Sequence, residues 1–167
     1  TGPTGPAVTF NGLTTGSSTF NTALGVDALA EPTGPTGGSA RNVALGYNAM
    51  YSATTGTDNV VIGYLAGDAL VSGRENVLIG TNAGTNLSVT GAGFSPEASQ
   101  NVAVGFEAML NNIEGGQSTA IGYLSMRSFN PSEAYFINTC VGTYSGYALT
   151  TSAGNCLIGN NAGQGVT

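Results

Sequence analysis

Apolar residues in this chain come in short bursts of three or four, each closed by a glycine and separated from the next by Gly, Ser, Thr and Asn. Aligned on the pattern Asn-x-x-aliphatic-Gly, eight copies emerge: NTALGVDAL from Asn21, NVALGYNAM from Asn42, NVVIGYLAG from Asn59, NVLIGTNAG from Asn76, NVAVGFEAM from Asn101, STAIGYLSM from Ser118, NTCVGTYSG from Asn138 and NCLIGNNAG from Asn155. With the opening residue as place 1, place 5 holds Gly25, Gly46, Gly63, Gly80, Gly105, Gly122, Gly142 and Gly159, separated by 21, 17, 17, 25, 17, 20 and 17 residues. A period of 17 with insertions of 4, 8 and 3 is the signature of a repeat architecture.

Each burst is rich in Val, Thr, Ile and Leu and bounded by turn residues, which predicts a strand. Side chains alternate along a strand, yet places 3 and 4 are both apolar, as in Val61–Ile62 and Leu78–Ile79. A strand apolar on both faces needs cover on both. The interior of a stacked solenoid supplies one cover, and the simplest source of the other is an identical neighbour. The sequence therefore predicts an all-β fold, a parallel β-solenoid or β-roll of about eight coils with a modal 17-residue repeat, assembled as a homotrimer. At about 4.8 Å per coil it would be roughly 40 Å long. The place-5 glycines admit two readings, a positive φ or a close backbone approach. The opening residues Asn21, Asn42, Asn59, Asn76, Asn101, Asn138 and Asn155 also admit two, a stacked amide ladder or a turn cap.

Composition narrows the function. The 167 residues carry 3 basic and 9 acidic side chains, a net charge of −6, with no His and no Trp. The three cations, Arg41, Arg74 and Arg127, are scattered and cannot build a nucleic-acid face. Chemistry that needs His or Lys has no residue to carry it. The chain is 41% hydrophobic, so a core can form, but no run reaches the roughly 18 apolar residues of a membrane helix. The first residue is Thr with no leader pattern after it, which reads as a processed product or fragment. Cys140 and Cys156 fall at places 3 and 2 of neighbouring copies, on opposite faces. Two small buried side chains are expected rather than an internal disulfide, with pairing between chains as the alternative.

Residues 2–7 read Gly-Pro-Thr-Gly-Pro-Ala, two Gly-X-Y triplets. Only Gly fits a triple-helix axis, so this register implies three chains. The expected organisation is the end of a collagen-like stalk at 1–7, a connector at 8–20 and a solenoid head of eight repeats at 21–167.

On NVALGYNAM, NVVIGYLAG and NVLIGTNAG, residues 21–163 resemble the YadA-like head repeats of trimeric autotransporter adhesins. They resemble still more closely the repeat arrays of phage and giant-virus tail or surface fibres, which often follow Gly-Pro-Thr stretches. Bacterial spore-surface collagen-like proteins are similar in the stalk alone. The resemblance implies a homotrimer of parallel left-handed β-rolls or a related β-solenoid at or near the end of a fibre, outside the cell or on a virion or spore surface. Two departures stand against it: adhesin heads repeat at a shorter period, and no coiled-coil stalk or anchor is visible in these residues.

The expected function is thus a structural and adhesive module that presents loops for attachment, with no enzyme activity, cofactor, nucleic-acid partner or membrane insertion. Carbohydrate binding is the alternative, and a polysaccharide depolymerase with sites between chains a more distant one. The insertions 88–100, with Phe94 and Glu97, and 127–136, with Arg127, Phe129, Tyr135 and Phe136, read either as receptor-contact loops or as caps that block edge pairing between coils. Tyr47, Tyr64, Phe106 and Tyr123 at place 6 read either as packed rings or as an exposed platform for a sugar face. The nine acids fall singly and match no calcium loop.

Overall fold

A computed structural model describes residues 20–30, 39–88, 98–113, 115–130 and 137–165. The stalk at 1–7, nearly all of the connector at 8–20, and Phe94, Glu97, Tyr135 and Phe136 lie outside the described residues.

The described residues form an all-β solenoid with no helix. Its strands are β1 (Thr22–Leu24), β2 (Val43–Leu45), β3 (Val60–Ile62), β4 (Val77–Ile79), β5 (Val102–Val104), β6 (Thr119–Ile121), β7 (Thr139–Val141) and β8 (Cys156–Ile158). They make one parallel sheet in sequence order. Register is kept at every step, so Ala44 pairs with Val61, Val61 with Leu78 and Leu78 with Ala103. The insertions leave the stack uninterrupted: across the longest, Glu107 N–H still donates to Thr81 O at 2.9 Å, as Asn82 N–H does to Tyr64 O one coil earlier.

Three-residue strands are too short to hold by themselves, and the ladder continues through the turns. The place-8 N–H donates back to the place-5 carbonyl, as in Ala66 to Gly63. The place-9 N–H donates forward to the next coil, as in Met50 to Ala66 O at 3.0 Å. Places 7 and 9 take a positive φ even where the residue is Leu29, Met50, Leu65, Met109, Leu124 or Met126. Such residues enter that region rarely. The repeated inter-coil bonds hold them there.

Place 5 combines both of its readings. Its glycines have φ between 126° and 140°, a region closed to side-chain-bearing residues. A Cβ on Gly80 would also lie 2.5 Å from the Gly105 carbonyl oxygen of the next coil.

The asparagines likewise do both things at once. Asn59 N–H and Nδ2 donate to Asn42 Oδ1 at 2.9 and 3.0 Å, and Nδ2 also reaches Gly73 O at 2.9 Å, closing its own coil. Asn76 repeats this with Asn59 and Ala98 O. Ser118 substitutes its hydroxyl: its N–H donates to Asn101 Oδ1, and its Oγ accepts from Asn138 N–H, both at 3.1 Å. These amides are buried, and burying a polar group costs little only when it is bonded in this way.

Inside the coil lie places 3, 8, 9 and 12. Place 3 is interior from Ala23 to Cys140, and place 12 adds Ala53, Leu70, Leu87, Asn112, Phe129 and Leu149, all fully buried. Places 3 and 9 share one volume. Ala44, Ala103 and Ala120 face Met50, Met109 and Met126, whereas Val61, Leu78, Cys140 and Leu157 share their coils with Gly67, Gly84, Gly146 and Gly163. A Cβ on Gly84 would come within 2.9 Å of Leu78 Cδ2, and one on Gly146 within 2.6 Å of Cys140 Sγ. An interior packed to crystal density has room for one large side chain per coil, not two.

Candidate functional site

Alternation decides what the sheet shows to the outside. With place 3 interior, places 2 and 4 face outward. Place 4 carries Leu24, Leu45, Ile62, Ile79, Val104, Ile121, Val141 and Ile158, half-exposed or exposed throughout, and place 2 adds Val43, Val60, Val77 and Val102. The result is an aliphatic face eight strands long, about 34 Å at ~4.8 Å per step.

Place 6 follows directly beyond the glycine. Tyr47 and Tyr64 stack with centroids 5.4 Å apart and planes 14° off parallel, and Phe106 and Tyr123 do the same at 5.3 Å and 15°. All four rings are exposed. Tyr144 and Tyr147 extend the second pair edge-on, at 5.6 Å for each step.

On the opposite side of the strand, the residue before place 1 builds a polar edge along coils 2 to 6, while Phe20 and Ile137 stand exposed at that place in coils 1 and 7. Arg41 donates to both carboxylate oxygens of Asp58, at 2.6 and 2.8 Å. Glu75, Gln100 and Gln117 continue it, each glutamine donating 2.9 Å to the residue one coil before. The Arg41 guanidinium holds the Asp58 carboxyl below its ordinary range. An aliphatic face thus runs between a hydrogen-bonded polar edge and an aromatic strip.

The predicted contact residues separate in the structure. Arg127 lies at the surface of its corner, its Nε 2.6 Å from Glu107 Oε2. Phe129 does not join it: at place 12 its ring is fully buried in the core. The expectation that Phe129 meets a receptor is therefore corrected, because inward geometry outweighs its loop-like neighbours in sequence. The cysteines also differ from each other. Cys140 is buried, and burial pushes its thiol up to about 11. Cys156, expected as a buried side chain, is exposed at place 2 of the outer face. Both are free.

Sequence reasoning missed places 9 and 12 as core. The reciprocal Ala–Met and aliphatic–Gly pairing was the available signal. Asn48 and Asp68 each bury an Oδ1 that has no hydrogen-bond partner, and burial raises the Asp68 pKa. They occupy places 7 and 10 of successive coils, the places that Glu107 and Arg127 fill with an ion pair further along. Among the described residues no group of three or more His, Cys, Asp or Glu comes together to hold a metal ion, and no helix is long and apolar enough to cross a membrane.

No family model, curated protein or solved structure matches this chain.

Proposed function

We propose that the chain is a structural and attachment module of a homotrimeric surface fibre, a rigid rod whose loops and side strips meet a receptor outside a cell or on a virion or spore. The observation that carries the reading is the aliphatic outer face. Ile121 is 39% exposed and Ile158 69% in the single chain, within an apolar surface that runs the whole sheet. Contiguous apolar faces of this size mark interaction surfaces. The polar edge on one side, already bonded within its own chain, leaves the face itself as the part that needs covering. The Gly-X-Y triplets at the start of the chain favour three copies over two. On this reading the module is not an enzyme and needs no cofactor. Its partners are two further copies and a surface glycan or protein receptor.

Light scattering on the purified chain tests the assembly. A mass of about 50 kDa, three times the chain's 16.6 kDa, is expected at micromolar concentration. A mass of one chain, unchanged on concentrating the sample, would overturn the reading.

A further inference from the structure

The aliphatic face is too narrow to hold three copies by itself. Its strands are three residues wide, about 10 Å, and the sheet runs about 34 Å, an outline of roughly 340 Å². A stable interface buries about 800 Å² on each partner. In a closed assembly of three, each copy has two neighbours, and the face is shared between them. The rest of the contact has to come from the flanks.

Symmetry says which flanks meet. Rotation about a three-fold axis moves nothing along that axis, so with parallel rods each coil stands level with the same coil of its neighbours. Contacts in such an assembly are heterologous: one flank of a copy meets the opposite flank of the next. Here the two flanks are place 6, just after the strand, and the residue just before place 1. We infer that in the trimer the aromatic strip of one copy packs against the polar edge of the next, coil against coil of the same number.

The two flanks match level by level. Where the strip has a ring, at Tyr47, Tyr64, Phe106 and Tyr123, the edge of the same coil has Arg41, Asp58, Gln100 and Gln117. These are flat groups without unbalanced charge: Arg41 and Asp58 neutralise each other, and both glutamines are hydrogen-bonded along the edge. Polar groups already bonded in their own chain can be covered by a ring without being left stranded, and a guanidinium is attracted to the ring face. In coil 4 the edge holds Glu75, which among the described residues is in no ion pair, and there the strip changes from a ring to Thr81. A hydroxyl donates to a carboxylate, whereas the electron-rich face of a ring repels one. In coils 1 and 7 the strip shrinks to Val26 and Thr143, and the bulk moves to the edge, where Phe20 is 78% and Ile137 53% exposed in the single chain. At these levels bulk stands on one flank or the other, as a contact between opposite flanks requires.

The assignment rests on the three-copy reading and narrows the receptor-facing part of the module to its loops. Its test uses the full chain with Cys156→Ser, which removes the exposed native thiol. Two level pairs are made, Tyr123→Cys with Gln117→Cys and Phe106→Cys with Gln100→Cys, and one offset pair, Tyr47→Cys with Gln117→Cys. The members of a level pair flank one strand, about 10 Å or more apart, which is beyond the reach of a disulfide within one chain. Mass and melting are measured first, and the samples are then oxidised with copper phenanthroline in air and run on a denaturing gel. Both level pairs should give covalent trimers as the main product, and the offset pair and the four single variants about a tenth as much or less. A folded trimer in which neither level pair links, or in which the offset pair or the single variants link equally well, overturns the flank contact and leaves the fibre module standing. A single-chain mass before oxidation overturns both.

Discussion

Coils 4 and 5 solve the same packing problem with opposite choices. In coil 4 the strand supplies the bulk: Leu78 fills the interior and Gly84 leaves room for it. In coil 5 the strand carries Ala103 and the turn supplies the bulk through Met109, and both are fully buried. The backbone is the same in each, with φ of 58° at Gly84 and 54° at Met109. Between these two coils the one large interior side chain is kept, and only its assignment to strand or turn is exchanged. That exchange shows how a 17-residue pattern stays regular while its side chains vary.

The largest effect should come where the two coil types do not differ. Gly80→Ala places a Cβ 2.5 Å from the Gly105 carbonyl at a φ of 131°. We expect about 4 kcal/mol or more of destabilisation, at the exceptional end for one substitution. Gly63→Ala and Gly105→Ala should match it in urea unfolding. A mild loss at one of these positions would show that the glycine stack is not shared by all coils.

Next in size is the exchange of one coil type for the other. Met109→Gly opens a cavity and should cost about 2–5 kcal/mol. Ala103→Leu overfills the same space and should cost about 1–3 kcal/mol. Together they turn coil 5 into a copy of coil 4, so the double variant should be more stable than Met109→Gly alone. A coupling of opposite sign to the single losses, on the order of 1–3 kcal/mol, is the expected signature in a double-mutant cycle. Strict additivity would contradict the shared-volume account.

The smallest effect concerns charge at matching places. At place 10, coil 6 has Arg127 bonded to Glu107, and coil 3 has Asp68 with a buried Oδ1 unpaired. Burial raises Asp68 in the folded state. Its contribution is present in full below the unfolded pKa and is lost as pH rises through the folded value. Asp58 is held down by Arg41, so its contribution is present above the ordinary range and is lost as pH falls. Melting temperature measured across the carboxylate range should show Asp68→Asn gaining on wild type as pH rises, and Asp58→Asn gaining as pH falls. Parallel pH profiles for the two variants would contradict the assigned environments.

The repeat, the parallel order and the solenoid were legible because Gly and Asn recur with fixed spacing wherever a coil must close. Which strand face lies inside was not, since Val61 and Ile62 are equally apolar and the small Ala residues at place 3 gave no direction. Place 12 was hidden because Phe129 and Leu70 sit in turns of mixed composition, next to segments of variable length. The positive φ of Met50 and Leu65 left no trace in residue type, because inter-coil bonding rather than local preference holds it. The aromatic strip was visible residue by residue. The place of Thr81 between two ring pairs needed the register that runs across the insertion.

The outer face remains the centre of the account, and a photoreactive benzophenone side chain in place of Ile79 tests it most directly. Irradiation of the native protein should give covalent dimers and trimers on a denaturing gel, with peptides that join residue 79 to the outer-face strands of another copy. Adducts confined to single chains, from protein that is folded and concentrated, would contradict the claim that this aliphatic face is where the copies meet.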